Sequence, residues 1–413
     1  MTTKPHRSRR PALPAAGAKP APRPSGKPAA KAAPPAPAPV QAAPELYLVC
    51  TPGLEDALVA EAKAQAFRDP VAGKGGVTVA GAWPDAWRAN LVLRGATRVL
   101  VRIAAFRALH VAQLDKRARK VDWASFLRPD VPFRVEASCR ASRIYHEGAA
   151  AQRIARAIHE TVGAPEAEDA PVTVKARIDD DLCTISLDTS GESLHKRGSK
   201  QAVAKAPLRE TMAALFLRQC GFDGREPVVD PMCGSGTFVI EAAEIAAGLA
   251  PGRARRFAFE QLANFDAAAW QKLRDAAKRP RAENAAPRCF GSDRDAGAVA
   301  SARANAERAG VAALSQFTQR AISDLVPPEG AESGGLVIVN PPYGGRIGER
   351  GKVAALYQAL GQVLASRFAG WRVGLVTNDA QLVAATGLPF APASGPISHG
   401  GIKVVLYRTP PLP

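Results

Sequence analysis

Residues 228–243 read VVDPMCGSGTFVIEAA, and this stretch constrains the fold more than any other. Two β-branched residues lead into Asp230 and Pro231, Cys233-Gly-Ser-Gly-Thr237 follows, and an apolar run at helical spacing comes next. That order predicts a strand, a tight glycine turn and a helix start. Gly234 and Gly236 let the backbone approach a ligand closely, and the helix start turns free N–H groups towards it. A Gly-x-Gly turn alone can be no more than a strand-to-helix connection. Here it follows an apolar strand that ends in an acid and precedes a helix, the setting of a nucleotide-type site. The glycine spacing and the missing Gly-Lys-Ser/Thr ending argue against a phosphate-cradling P-loop. A nucleoside-bearing cofactor fits better.

The C-terminal half repeats the strand–helix pattern. Arg288–Ser292 predicts a strand closed by Asp293, Ala296–Ala309 a helix ended by Gly310, and Phe317–Ala321 a short strand before Asp324. Gly335–Val339 predicts a buried strand that ends at Asn340-Pro341-Pro342-Tyr343, and further strands are expected at Arg372–Thr377 and Lys403–Tyr407. Continuous apolar strands alternating with helices predict a parallel, doubly wound sheet, whose ligands bind beyond the carboxyl ends of the strands. Asp230, Asp293, Asp324 and Asn340 stand at those ends. Any one of them is readily explained as a helix cap; together, in this order, they form a candidate site. An acid after the second strand suits a ribose diol, and one near the third suits an exocyclic adenine amine.

Upstream, Leu46–Cys50 predicts a buried strand and Thr51-Pro52 the cap and first position of a helix running to about Ala66. A strand at Gly75–Ala80, a helix at Pro84–Leu93 and a strand at Ala96–Ala104 give a β-α-β-α-β order, an α+β ferredoxin-like unit. A strand at Phe133–Cys139, a helix at Gly148–Val162 carrying Arg153 and Arg156, and a hairpin around Asp179–Asp181 form a further α/β unit. The segment Glu192–Glu210 is polar and basic, and predicts a linker in which Lys196, Arg197 and Lys200 line a path for nucleic acid.

Charge sets the class of partner. The chain carries a formal net charge of +17, and residues 1–44 hold eight Lys/Arg and no acid, so about +9 remains on the rest. Clustered cations gain affinity by releasing counterions from phosphates, which points to RNA or DNA. Residues 1–44 also hold twelve prolines and predict a disordered basic arm. The six cysteines show no CxxC or His-linked spacing, so neither a metal site nor a disulfide framework is expected. No apolar run reaches the roughly 18 residues of a membrane span, and a cytoplasmic location is expected.

The sharpest chemical signal is Asn340-Pro-Pro-Tyr343. The prolines remove two N–H donors, so this segment presents acceptors. A planar exocyclic amine has two hydrogens, which the Asn340 side-chain oxygen and the Pro341 carbonyl can accept. Holding both draws the nitrogen lone pair out of conjugation and aims it at an electrophilic methyl. The Tyr343 ring offers a surface on which an extruded base stacks.

At this point the chain from about Leu46 onward resembles the THUMP-domain RNA guanine-N2-methyltransferases, within the class I S-adenosylmethionine-dependent enzymes. The matching segments are GESLHKRG (Gly191–Gly198, after Ser190), APLRE (Ala206–Glu210), DPMCGSGT (Asp230–Thr237), GSDRD (Gly291–Asp295) and NPPYG (Asn340–Gly344). The resemblance implies S-adenosyl-L-methionine as cofactor and ribosomal RNA, or tRNA, as partner. It implies a cofactor site of Asp230, Pro231, Cys233, Gly234, Gly236, Thr237, Asp293, Arg294, Asp324 and Asn340, with Asn340, Pro341, Pro342 and Tyr343 as the catalytic segment. Lys196, Arg197, Lys200, Arg153 and Arg156 are the RNA-binding candidates.

The expected domains are the arm over residues 1–44, a ferredoxin-like unit over 45–110, a THUMP unit over 111–190, a basic linker over 191–207 and a Rossmann-like methyltransferase domain over 208–413. The sequence departs from the family at Gly345, where Glu is usual, and at Ser398–Gly401, where Asn-Gly is usual. Between Gly236 and Asp293 it carries an insertion, Pro251–Pro287, far longer than the usual spacing of about 20 residues. Ending at Pro413, it is expected to lack the second methyltransferase domain of some members. Other readings are a tRNA guanine-N2-methyltransferase, an adenine-N6-methyltransferase acting on nucleic acid, and a non-catalytic RNA-binding assembly factor.

Overall fold

The computed structural model describes residues 45–198, 208–279, 288–331, 334–342, 350–392 and 395–413. The expected arm over 1–44, Lys200, Tyr343 and Gly345 lie outside the described residues.

Strand β1 (Glu45–Val49) buries every second residue. The chain then turns at Gly53, whose φ of +94° no helix accepts and where an added Cβ would lie 2.9 Å from the Pro396 carbonyl oxygen. This turn delays α1 to Glu55–Ala64. Thr51 and Pro52 therefore precede the helix and do not open it; Leu54 takes the cap position without a side-chain bond. Glu55 accepts the N–H groups of Gly53 and Gly75 at 2.7 and 3.0 Å. Then come β2 (Arg68–Gly73), β3 (Gly76–Ala80), α2 (Trp83–Val92) and β4 (Arg98–Arg107), so the order is β-α-β-β-α-β. The unexpected strand, β2, is almost wholly exposed and has no apolar alternation to reveal it.

Helix α3 (Val111–Ala118), β5 (Phe133–Arg140), α4 (Glu147–Val162), β6 (Val172–Asp179) and β7 (Leu182–Asp188) follow. Asp180 and Asp181 turn the β6–β7 hairpin at positive φ, which Asp tolerates better than most residues. β7 also pairs antiparallel with β4, from Leu100↔Asp188 to Arg107↔Leu182. The ferredoxin-like and THUMP units thus share one seven-stranded sheet, in the order β2-β3-β1-β4-β7-β6-β5.

The second sheet is preceded by α5 (Glu210–Gln219) and built from β8 (Val228–Asp230), α6 (Thr237–Ala246), α7 (Ala267–Ala276), β9 (Cys289–Asp293), α8 (Ala296–Ala309) and β10 (Ser315–Gln319). It continues through β11 (Leu336–Val339), α9 (Arg350–Arg367), β12 (Arg372–Thr377), α10 (Ala380–Ala385), β13 (Ile397–His399) and β14 (Ile402–Arg408). The strand order is β10-β9-β8-β11-β12-β14-β13. β8 to β12 run parallel, whereas β14 is antiparallel to β12 and to β13. The sheet is doubly wound, as expected, but with an antiparallel edge. The order reverses beside β8, and such a switch point opens the crevice in which ligands bind.

Two features fix the halves to each other. Phe259 and Phe265 of the inserted segment meet Trp87 of α2, each with ring centroids 5.8 Å apart, and Phe257 and Trp270 extend the cluster behind them at 5.0–5.8 Å. Nearby, Arg94, which follows α2, pairs with Glu241 and Glu244 of α6 at 2.7 and 3.2 Å. Both glutamates are buried and have further cations: Arg197 at 3.4 Å from Glu241, and Arg253 at 2.5 Å from Glu244. A buried charge persists only when paired in this way.

Candidate active site and substrate cleft

The glycine turn is built by its backbone. Gly234 and Gly236 have φ of +51° and +87°, a region costly for other residues. The Cys233 N–H donates to the Ser292 carbonyl at 3.0 Å and so lashes the turn to the end of β9. Asn305 of α8 donates to the Ser235 carbonyl at 3.0 Å. Thr237 then opens α6, leaving that helix's first N–H groups beside the turn.

Asp230 and Asp293 converge on this turn. Asp293 accepts the Gly234 N–H on Oδ2 at 3.1 Å and the Asp295 N–H on Oδ1 at 3.0 Å. Each oxygen keeps acceptor capacity for a hydroxyl. Asp230 is 3% exposed, and its one side-chain hydrogen bond among the described residues is from the Met232 N–H at 3.1 Å. Burial pushes its pKa up to about 8; the Met232 bond opposes the shift and the Asp293 charge adds to it. A carboxyl this short of compensation is suited to a cation, such as an amino-acid ammonium. Cys233 is buried beside it, and burial raises its thiol pKa, which disfavours the thiolate.

Asn340 and Pro341 follow β11, the neighbour of β8. The Asn340 Oδ1 atom is buried and has no hydrogen-bond partner among the described residues. An orphaned buried acceptor is costly, and it fits a donor supplied by a ligand. Asp324 lies in a one-turn helix after β10, exposed, with the Ser323 hydroxyl donating to it at 3.2 Å. Arg294 is exposed, and its carbonyl accepts from Gln319 at 3.1 Å. Pro231 is buried within the turn.

A cleft of about 1430 Å³ opens beside Asn340, Pro341 and Pro342. Its other walls come from the end of the first sheet (Ser190, Gly191), from the linker (His195, Lys196), from Arg209, from Arg255 and Arg256, and from His399. Asp230, Asp293 and Asp324 do not line it, so Asn340 and Pro341 are where the strand-end group meets the cleft. Burial lowers the pKa of His195 to about 4, and the nearby Arg209, Lys196, Arg197 and Arg255 add to the effect. Burial and then Arg209 lower that of His399. The His195 ring is therefore neutral at pH 7.

The expected path of basic linker residues needs correction. Arg197 is 5% exposed and donates to the Leu194 and Arg94 carbonyls, each at 2.8 Å, besides meeting Glu241. It is part of the interior. Lys196 is exposed and pairs with Glu192 at 2.7 Å. Arg153 and Arg156 are exposed on α4 and take no part in the cleft. Arg209, Arg256 and His195 line the cleft together with Lys196 and one edge of Arg197; the one signal for Arg209 in the sequence is an arginine just before a helix start. Among the described residues, no three His, Cys, Asp or Glu side chains are grouped to hold a metal ion, and no helix is long and apolar enough to cross a membrane.

Residues 45–100 match the RlmL ferredoxin-like domain, 110–188 the THUMP domain, and 197–391 the RMKL-like methyltransferase domain. A putative RNA methyltransferase of Synechocystis is 31% identical over 78% of this chain and 85% of its own length. The chain belongs to the RMKL-like methyltransferase family. The ribosomal RNA large subunit methyltransferase K/L of Psychromonas ingrahamii is 34% identical over 87% of this chain. This RMKL-like chain spans about half the length of that relative, 49%. Among solved structures, a putative methyltransferase complexed with S-adenosylhomocysteine superposes with a TM-score of 0.79 at 28% identity, covering 89% of this chain and 98% of its own.

Proposed function

We propose that this RMKL-like methyltransferase transfers a methyl group from S-adenosylmethionine to the exocyclic N2 amine of a guanine in large-subunit ribosomal RNA, in the cytoplasm. The observation that carries the reading is the buried, partnerless Asn340 Oδ1 at the junction of strand ends and cleft. The K/L relatives are named for large-subunit ribosomal RNA, and the solved neighbour binds the spent form of the same cofactor.

S-adenosylmethionine, when bound, supplies an electrophilic methyl group. Asp230 would meet the ammonium of its amino-acid part, and Asp293 would accept the ribose hydroxyls. Pro231, Cys233, Gly234, Gly236 and Thr237 shape the backbone around it, with Arg294 at the rim and Asp324 on the adenine side. Asn340 Oδ1 and the Pro341 carbonyl would accept the two amine hydrogens of the base. That grip orients the nitrogen lone pair and excludes water from it. Pro342 would stiffen the segment by fixing its own φ and removing an N–H donor, and Tyr343 would stack on the extruded base. The amine proton leaves once the nitrogen has acquired its fourth bond, so no strongly shifted base is required.

Substituting Asn340→Ala tests this directly. The variant should bind S-adenosylmethionine within a few fold of wild type and lose at least a hundredfold in kcat, about 3 kcal/mol. Full activity in that variant would overturn the proposal.

A further inference from the structure

Five lysine or arginine side chains line the cleft: Lys196, Arg197, Arg209, Arg255 and Arg256. Three are committed to the protein itself. Lys196 pairs with Glu192, and Arg197 belongs to the buried Glu241 network. Arg255 donates to the carbonyl oxygens of Glu192, Ser193 and Lys196 at 2.7–3.0 Å. Arg209 and Arg256 differ. Both are exposed, and neither makes a side-chain hydrogen bond or an ion pair among the described residues.

The position of Arg209 is itself informative. It occupies the cap of α5 and makes no capping bond. A helix N-terminus favours Ser, Thr, Asp or Asn, and its partial positive charge repels a cation. A residue set against its local preference marks a functional constraint. Of the cleft's two glutamates, Glu192 is already neutralised by Lys196, which leaves Glu210 facing Arg209, Arg255 and Arg256. Among the described residues the cleft therefore holds an excess of positive charge, beside the unpartnered Asn340 Oδ1.

We infer that Arg209 and Arg256 bind phosphodiester groups of the RNA strand and so position an extruded base at Asn340. This rests on the RNA reading above. The two are positioning residues: they fix the backbone on which the target nucleotide hangs, while Asn340 holds the exocyclic amine of the base. Guanidinium groups suit the task because their planar donors match two phosphate oxygens at once. All three residues line one cleft.

The test compares full-length wild type with Arg209→Gln, Arg256→Gln, the double variant and the two Arg→Lys variants, measuring affinity for unmodified ribosomal RNA across a salt series. Arg225→Gln is the control, because that side chain is 89% exposed and outside the cleft. Each Gln substitution should flatten the slope of log K against log salt by about 0.7–0.9. The KM for RNA should rise several fold, with S-adenosylmethionine affinity unchanged. The Lys variants should restore the slope because they keep the charge, and Arg225→Gln should match wild type. A double Gln variant with wild-type slope and KM would overturn this inference and leave the guanine reading standing. Loss of cofactor affinity or an early melt in the Gln variants would show a structural role and also overturn it. A wild-type protein that neither binds RNA nor yields N2-methylguanosine would overturn both readings.

Discussion

The Gly234 N–H donates to Asp293 Oδ2 at 3.1 Å, so the glycine turn after β8 is held by the acid that ends β9. The same carboxylate shapes the turn and is the proposed ribose acceptor. Asp293→Ala should then remove a ribose acceptor and loosen the turn together. Hydrogen bonds to a charged group contribute about 1.5–3 kcal/mol each, so S-adenosylmethionine affinity should fall at least tenfold. Equilibrium binding of the cofactor measures this. Unchanged affinity would dissociate Asp293 from the site.

The two glycines of the turn should separate by phenotype. A Cβ at Gly236 would lie 3.1–3.2 Å from Ala302, Ile240 and Phe317, whereas one at Gly234 meets nothing within 4 Å. Gly236→Ala should cost about 1–3 kcal/mol of stability from crowding and positive φ. Gly234→Ala should cost about 1–2 kcal/mol from positive φ alone, without crowding, and act mainly on cofactor binding. Thermal melts and binding isotherms on both variants distinguish the two effects.

Asp230 should leave a signature in the pH dependence of stability. Its folded pKa, about 8, lies well above the ordinary carboxylate value of about 4 that it has in the unfolded chain. Between those values the folded state binds the extra proton, so this carboxyl makes stability fall as pH rises towards 8. Above pH 8 the penalty is complete. Asp230→Asn should remove this dependence and, without cofactor, be more stable than wild type at pH 8, by on the order of a few kcal/mol. The same variant should bind S-adenosylmethionine more weakly. Denaturant titrations from pH 5 to 9 give the comparison.

Arg197 and Lys196 are neighbours in sequence with opposite fates. Arg197→Ala should destabilise the protein by about 3 kcal/mol or more, because it strips a partner from buried Glu241. Lys196→Ala should change stability by less than about 1 kcal/mol, its pair with Glu192 being exposed. Chemical denaturation of both variants checks this contrast.

Much of the architecture could be read from residue order. The apolar strands β8, β9 and β11, each ending in Asp or Asn, announced the doubly wound sheet and the crevice beyond it. Local patterns failed where long-range contacts decide. The burial of Arg197 depends on Glu241, 44 residues away, and that of Arg94 on glutamates about 150 residues away. The union of the two N-terminal units rests on β4–β7 pairing, which no periodicity within either strand reveals. β2 was missed because an exposed edge strand carries no hydrophobic signal. The spacing of Thr51 and Pro52 suggested a cap, but the close approach of Gly53 to Pro396 moved the helix start.

The most direct measurement is the identity of the product. Purified protein with S-adenosylmethionine and unmodified ribosomal RNA, followed by nuclease digestion and mass analysis of nucleosides, should give N2-methylguanosine from wild type and none from Asn340→Ala. N6-methyladenosine would keep the methyl transfer and contradict the guanine assignment. No methylated nucleoside, from a protein that binds both cofactor and RNA, would contradict the catalytic reading itself.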